Sequence, residues 1–220
     1  MGARVIKIEQ PRKGDDTRAW GPPFIGNESA YFLSVNRNKE SLTLDLKAPA
    51  ARPVLARLLD KADVIVENFR PGAMARLRLD YASVAASHPS IVYCSISGFG
   101  QTGPRRDEPG YDAVIQAEGG LMSITGEADG PPFRLGVAIS DVVSGMFAFQ
   151  GIAMALFART TTGRGQHDLM LRQRAVHRRR MPSVEVNGMR VRSLVEEVHP
   201  EAIAFGCPDC RSGHLTVVRP

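Results

Sequence analysis

Leu42-Thr43-Leu44-Asp45-Leu46, a helically spaced segment from Ala51 to Lys61, and then Val64-Ile65-Val66 follow one another within 25 residues, and this alternation leaves few architectures open. In the middle segment Val54, Leu55, Leu58 and Leu59 fall on one face of a helix, so it needs a sheet or another helix to cover it. Strand, helix, strand is the unit of a parallel, Rossmann-like sheet. Val5-Ile6-Lys7-Ile8-Glu9 alternates apolar and charged residues like a further strand, and the β-branched run Ile91-Val92-Tyr93 reads as another. The expected fold class is therefore α/β, a Rossmann-like parallel sheet with flanking helices.

The second half of the chain opens with loops. Gly98 to Gly110 is rich in Gly, Pro and charge, Tyr111 to Met122 fits a short helix, and Gly126 to Gly136 is a second loop. Ser140 then precedes a helical run from Asp141 to Arg159, which Thr-Thr-Gly-Arg-Gly closes at 161–165. Ser is a favoured N-cap and Gly a favoured stop, so both ends are signalled. Small residues recur on this helix at Gly145, Ala148, Gly151 and Ala155. They permit a close neighbour, read here as core packing, with a dimer-forming helix as the alternative.

Composition narrows the function classes. The net charge is +5, but residues 167–220 hold nine of the 28 basic and six of the 23 acidic residues, which leaves the preceding body nearly neutral. Nucleic-acid and membrane-surface partners are not expected from such a body. No uninterrupted apolar run reaches the ~18 residues of a membrane span, and no signal-peptide pattern opens the chain. Cys94, Cys207 and Cys210 are too few for a disulfide framework. The expected compartment is the cytoplasm.

Asp141 stands in the first turn of the predicted long helix, where unpaired amides and the macrodipole favour a negative charge. Such a carboxylate is usually a stabilising charge. It becomes a nucleophile only when an electrophile, such as a thioester carbonyl, is held in near-attack geometry.

A set of ordered strings makes that second role the relevant one. Val5-Ile-Lys-Ile-Glu9, Gly14-Asp-Asp-Thr-Arg18, Asn36-Arg-Asn-Lys39 and Leu44-Asp-Leu-Lys47 are followed by Val66-Glu-Asn-Phe-Arg-Pro-Gly72 and Ser97-Gly-Phe-Gly-Gln-Thr-Gly-Pro104. Gly110-Tyr-Asp112 and Thr161-Thr-Gly-Arg-Gly-Gln166 complete the series. In order and spacing, residues 1–166 resemble the large domain of family III CoA-transferases (CaiB/BaiF type), the group of formyl-CoA and succinate–hydroxymethylglutarate CoA-transferases.

The resemblance implies transfer of coenzyme A from an acyl-CoA to a small carboxylic acid, with Asp141 as the catalytic carboxylate that forms an aspartyl intermediate. It implies contacts to CoA from Leu44, Asp45, Leu46 and Lys47, from Asn68, Phe69 and Arg70, from Arg76, and from Glu108, Pro109, Gly110 and Tyr111. CoA or acyl-CoA enters as a substrate; no tightly bound cofactor and no metal is implied. Lys47, Arg70 and Arg76 suit phosphates, and ligands of parallel α/β sheets gather beyond the carboxyl ends of the strands. Where family members commonly carry Arg after the first conserved Glu, this chain has Gln10, an uncharged amide that holds a phosphate more weakly. Racemases of the same fold place a histidine base where this chain has Tyr111, so transfer is preferred to epimerisation. The blocks at 21–24, 34–39 and 110–112 lean towards the branch that uses dicarboxylic acids such as succinate and glutarate.

The resemblance also implies an interlocked homodimer for the complete fold, relative to which this chain is incomplete. Met1-Gly-Ala-Arg-Val-Ile-Lys7 corresponds to the middle of the family's opening segment, so the family's first strand is expected to be missing and its neighbours' edges exposed. Residues 167–220 form a divergent or frame-disrupted tail, family-like again near 199–218. A non-catalytic remnant, or a CoA-binding partner of a longer relative, is the alternative to an active enzyme. In the tail, Arg172, Arg174 and Arg178-Arg179-Arg180 form a basic cluster without aromatic interleaving, and Cys207-Pro-Asp-Cys210 with His199 and His214 lacks a second ligand pair of zinc-site spacing.

Overall fold

A computed structural model describes residues 2–127, 129–172, 184–186, 189–191 and 215–219. The elements in chain order are β1 (Arg4–Glu9), β2 (Phe24–Ile25), β3 (Glu28–Ser29), α1 (Ala30–Val35), β4 (Lys39–Thr43), α2 (Arg52–Leu59), β5 (Val64–Glu67), α3 (Ala73–Arg76), α4 (Tyr81–Ala85) and β6 (Val92–Ser97). They continue with α5 (Asp112–Glu118), α6 (Ile139–Thr162), β7 (His167–Leu171), β8 (Val184–Val186), β9 (Met189–Val191) and β10 (Leu215–Arg219). The chain divides into two compact units. One comprises Met1–Ser95, Ile152–Asp168 and Asp209–Pro220, and the other Ile96–Gly151 and Leu169–Pro208.

The first unit is built on a sheet of order β4-β1-β10-β5-β6-β7. β1 pairs in parallel with β4, and β5 in parallel with β6, but β4 and β5, the strands that α2 joins, do not pair with each other as the strand–helix–strand pattern predicts, because β1 and β10 lie between them. The sheet is nevertheless mixed: β10 lies between β1 and β5 and runs antiparallel to both. This corrects the expectation of exposed edges, because β10 satisfies the inward edges of β1 and β5. Its register sets Val217 opposite Ile6 and Ile65, and Val218 opposite Val5 and Val64.

Alternation then sorts the strand residues to two faces. Ile8, Ile65, Ile91, Tyr93, Leu215 and Val217 share one core cluster with Leu55 of α2 and with Met74, Leu79 and Val84. Val64 and Val92 pack on the opposite face against Ala155 of α6, flanked by Val66, Ile152, Leu156 and Val218. Burying each such aliphatic side chain contributes roughly 1.5–3 kcal/mol. Pro53 in the first turn of α2 sits where a missing N–H costs nothing. A buried polar girdle ties β1 to the turn that follows it: Lys7 pairs with Asp15, and Arg18 makes two bonds of 2.9 Å to Glu9.

α6 begins two residues earlier than its sequence signals suggest. Ser140 is its second residue, not its cap. The buried stripe is Ser140, Ser144, Ala148 and Ala155, whereas Gly145 is exposed with open space around it. Its outer face carries exposed Val142, Met146, Phe149, Met154 and Phe157. By length and composition this 24-residue helix is apolar enough to cross a membrane. Ser140, Ser144, Ala148 and Ala155 are buried and Arg159 pairs with Asp63 at 2.8 Å, while most of the rest of the helix is exposed.

Candidate active site

In the first unit the predicted CoA contacts follow two strands that point the same way. Leu44–Lys47 come directly after β4, and Asn68–Arg70 directly after β5. Both β1 and β5 are antiparallel to β10, and β4 is parallel to β1, so the two turns emerge at the same end of the sheet. Leu44, Leu46 and Phe69 turn inward against the core, while Asp45, Lys47 and Arg70 are exposed. The Asp45 carboxylate accepts from the amide of Lys47 at 2.9 Å, which closes the first turn.

The second turn is held by a buried carboxyl. Glu67 accepts from the amide of Phe69 at 2.8 Å, and burial pushes its pKa up, against hydrogen bonds from Ser95 and Phe69 that favour the charged form. Ser95 Oγ lies 2.9 Å from His167 Nε2, and the His167 ring stacks on Tyr81. Gly72 has φ of 79°, a left-handed conformation that glycine adopts without strain, and it opens α3, at whose end Arg76 is exposed.

The remaining predicted residues lie in the second unit. Glu108 and Pro109 are exposed, Gly110 is half-buried, and Tyr111 is the residue from which α5 starts. Gly110 packs directly on Gly98, so a side-chain carbon on either would collide with the other's Cα. That contact fixes the loop as only a pair of glycines can. Arg105 lies over the Phe99 ring, 4.1 Å from its centroid, and binds both Glu108 and Glu118.

Asp141 is in the first turn of α6, as expected. Its Oδ1 is shielded from solvent and lies 3.0 Å from Nη1 of Arg172, which also donates to the carbonyl of Gly110 at 3.0 Å. The side chain as a whole keeps 38% exposure. Burial raises the Asp141 pKa above the ordinary value of 3.8; the Arg172 cation opposes this and the nearby Asp112 carboxylate adds to it. The helix N-terminus alone leads one to expect only stabilisation of the anion, so burial is the added factor.

Three participants escaped sequence reasoning. Arg172 was grouped with the basic tail, and nothing in its local pattern marks it as the partner of Asp141. Asp112 and Gln116 lie in and just after the Gly-Tyr-Asp string, and their spacing of four is the one signal that could have joined them. Asp112 Oδ1 accepts from the amide of Ser140 at 2.9 Å and from its hydroxyl, and Oδ2 accepts from Gln116 Nε2 at 2.6 Å. Among the described residues no cluster suited to a metal ion occurs. Residues 174–180, 199, 207, 210 and 214, which the arginine-cluster and zinc readings need, lie outside the described residues.

Comparison with known proteins identifies the family. The profile of CoA-transferase family III matches residues 1–218, which extends the likeness beyond the 166 residues read from the strings. The chain is 51% identical over 168 residues to an acetyl-CoA:oxalate CoA-transferase of Acetobacter aceti, covering 76% of this chain and 43% of that protein. It is 49% identical over 165 residues to a succinyl-CoA:glutarate CoA-transferase of Mus musculus, covering 75% of this chain and 38% of that protein. Among solved structures, a CAIB/BAIF family protein from Brucella suis superimposes with a TM-score of 0.74 at 44% identity, over 78% of this chain and 46% of that one. The chain thus spans less than half the length of these relatives. A sheet with these two turns, an aspartate at the head of α6 and a profile match along nearly its whole length establish that the chain belongs to CoA-transferase family III.

Proposed function

We propose that this chain carries the acyl-CoA-binding and nucleophilic part of a CoA-transferase that moves coenzyme A between an acyl-CoA and a carboxylic acid. The observation that carries this reading is Asp141: a part-buried carboxylate at a helix start, with Oδ1 in an ion pair with Arg172 and the side chain 38% exposed. Oδ2 attacks the thioester carbonyl, and the tetrahedral adduct expels the CoA thiolate to leave a mixed anhydride. The thiolate then attacks the aspartyl carbonyl, releasing the donor acid and forming an aspartyl-CoA thioester. An incoming carboxylate attacks that thioester, and the thiolate it expels takes the new acyl group, which frees Asp141. Arg172 steadies the anion before attack and the Oδ1 charge as it redistributes.

The names of the relatives pair acyl-CoA donors with dicarboxylic acids, oxalate and glutarate, which supports a dicarboxylate acceptor. A second reading, CoA binding without turnover, needs only the turns that follow β4 and β5 and no reaction at Asp141. Incubation with succinyl-CoA followed by intact mass spectrometry separates the two. Transfer predicts a covalent adduct that hydroxylamine cleaves and that Asp141→Ala abolishes. A folded chain that binds CoA by calorimetry yet forms no adduct supports the second reading and overturns the first.

A further inference from the structure

We infer that Asp112 and Gln116 are positioning residues that set where α6 begins and so aim the carboxylate of Asp141, an inference that rests on Asp141 being the nucleophile. A helix leaves its first amides without intrahelical partners, and a side chain of the preceding residue is their usual cap. Here the residue before α6 is Ala138, which offers no side-chain acceptor. The amide of Ser140 is capped instead by Asp112, 28 residues earlier, and the Ser140 hydroxyl donates to the same oxygen.

Gln116 completes the latch. It is fully buried; its Nε2 donates to Asp112 Oδ2, and its Oε1 accepts from the amide of Leu135 at 3.0 Å. Its Nε2 also lies 3.3 Å from the carbonyl of Val137. The segment leading into α6 is therefore hooked to α5 at residues 135, 137 and 140. Each residue of a helix turns by roughly 100° relative to the last, so a start displaced by one residue would swing Asp141 away from its present heading. α5 itself starts from Tyr111, beside Gly110, so the same short helix sets both the loop proposed to meet CoA and the start of α6.

The test compares Asp112→Asn, the exchange pair Asp112→Asn with Gln116→Glu, and Gln116→Met, using succinyl-CoA as probe. In Asp112→Asn the new amide faces the donor of Gln116; the exchange pair restores a donor opposite an acceptor. Expected is a fall of roughly 10- to 100-fold in the single-turnover rate of adduct formation for Asp112→Asn, with the half-saturating succinyl-CoA concentration changed by less than about threefold. The exchange pair should recover most of that loss. An unchanged rate in Asp112→Asn, or no recovery in an exchange pair that melts like the parent, overturns the inference.

If the parent chain forms no adduct, the reading of Asp141 as nucleophile fails, and the positioning claim is judged separately by 13C carboxyl NMR. The Asp141 resonance is assigned by its absence in Asp141→Asn. Gln116→Met alters no charge, so if the latch aims Asp141, its titration midpoint moves as the burial of the carboxylate and its pairing with Arg172 change together. A midpoint that stays in place in a folded Gln116→Met protein overturns the claim.

Discussion

Glu9 and Asp141 are both carboxylates removed at least partly from water, and what meets each one decides its behaviour. Glu9 receives two bonds from Arg18, one from Ser41 and one from the amide of Asp15, and its pKa is held down at about 2, the Arg18 hydrogen bond outweighing burial. Because the folded-state value lies below the unfolded one, the stability it contributes is present above about pH 4.5 and is lost as pH falls towards 2. Allowing for the partly exposed Arg18, that contribution is on the order of 2 kcal/mol. Glu9→Gln should therefore be less stable at pH 7 and show a flatter loss of stability between pH 5 and 2, read from urea unfolding at several pH values. Asp141 has the opposite sign: its raised pKa favours the protonated folded state, so its contribution is present at low pH and fades as pH rises through its folded-state value. For the proposed chemistry the anion is required, so the rate of adduct formation should fall on acidification at a pH above the ordinary aspartate range, read from single-turnover rates with succinyl-CoA at several pH values. The place of Asp141 in the first turn of a long helix was legible in the sequence. Its burial was not, because Arg172 and Asp112 reach it only through the tertiary fold.

α6 shows how a helix can be legible in outline and misleading in detail. Its length and its stop at Thr-Thr-Gly-Arg-Gly were written in local signals, and the structure ends it at Thr162 with the Gly163 amide bonded to the Arg159 carbonyl. Its start was not legible. Ser140 has the chemistry of a cap, but once Asp112 supplies the acceptor, Ser140 joins the helix. The stripe of small residues was likewise half right, since Ala148 and Ala155 are buried but Gly145 is not. Spacing alone cannot tell which small residues face a neighbour. Gly145 has open space where a Cβ would go and ordinary helical φ, so Gly145→Ala should remove a mid-helix glycine at no steric cost. The expected gain is about 0.5–1 kcal/mol in urea unfolding, with adduct formation unchanged. A loss of stability would mean that something packs on this face and that the stripe reading holds throughout.

The sheet of the first unit depends on a strand that no local pattern could have assigned. The stretch near 199–218 was recognisable as family-like, but that likeness states neither a partner nor a direction. Antiparallel insertion between β1 and β5 requires pairing across roughly 150 to 210 residues of sequence, and register is decided there by which face each side chain can bury. Leu215 and Val217 enter one core cluster and Val218 the other, so the strand closes both faces of the sheet as well as both edges. Two substitutions at one position separate these contributions. Val217→Ala keeps the backbone pairing and removes only buried methyl groups, so it should cost about 1–3 kcal/mol. Val217→Pro removes a donor from a strand paired on both sides, where proline is almost never found, and should cost at least about 3 kcal/mol and broaden the thermal transition. If Val217→Pro melted with the midpoint and cooperativity of the parent, β10 could not be a central strand. The inward edges of β1 and β5 would then stand open. The gap between the two substitutions thus measures the ladder itself, independently of the hydrophobic burial that both share.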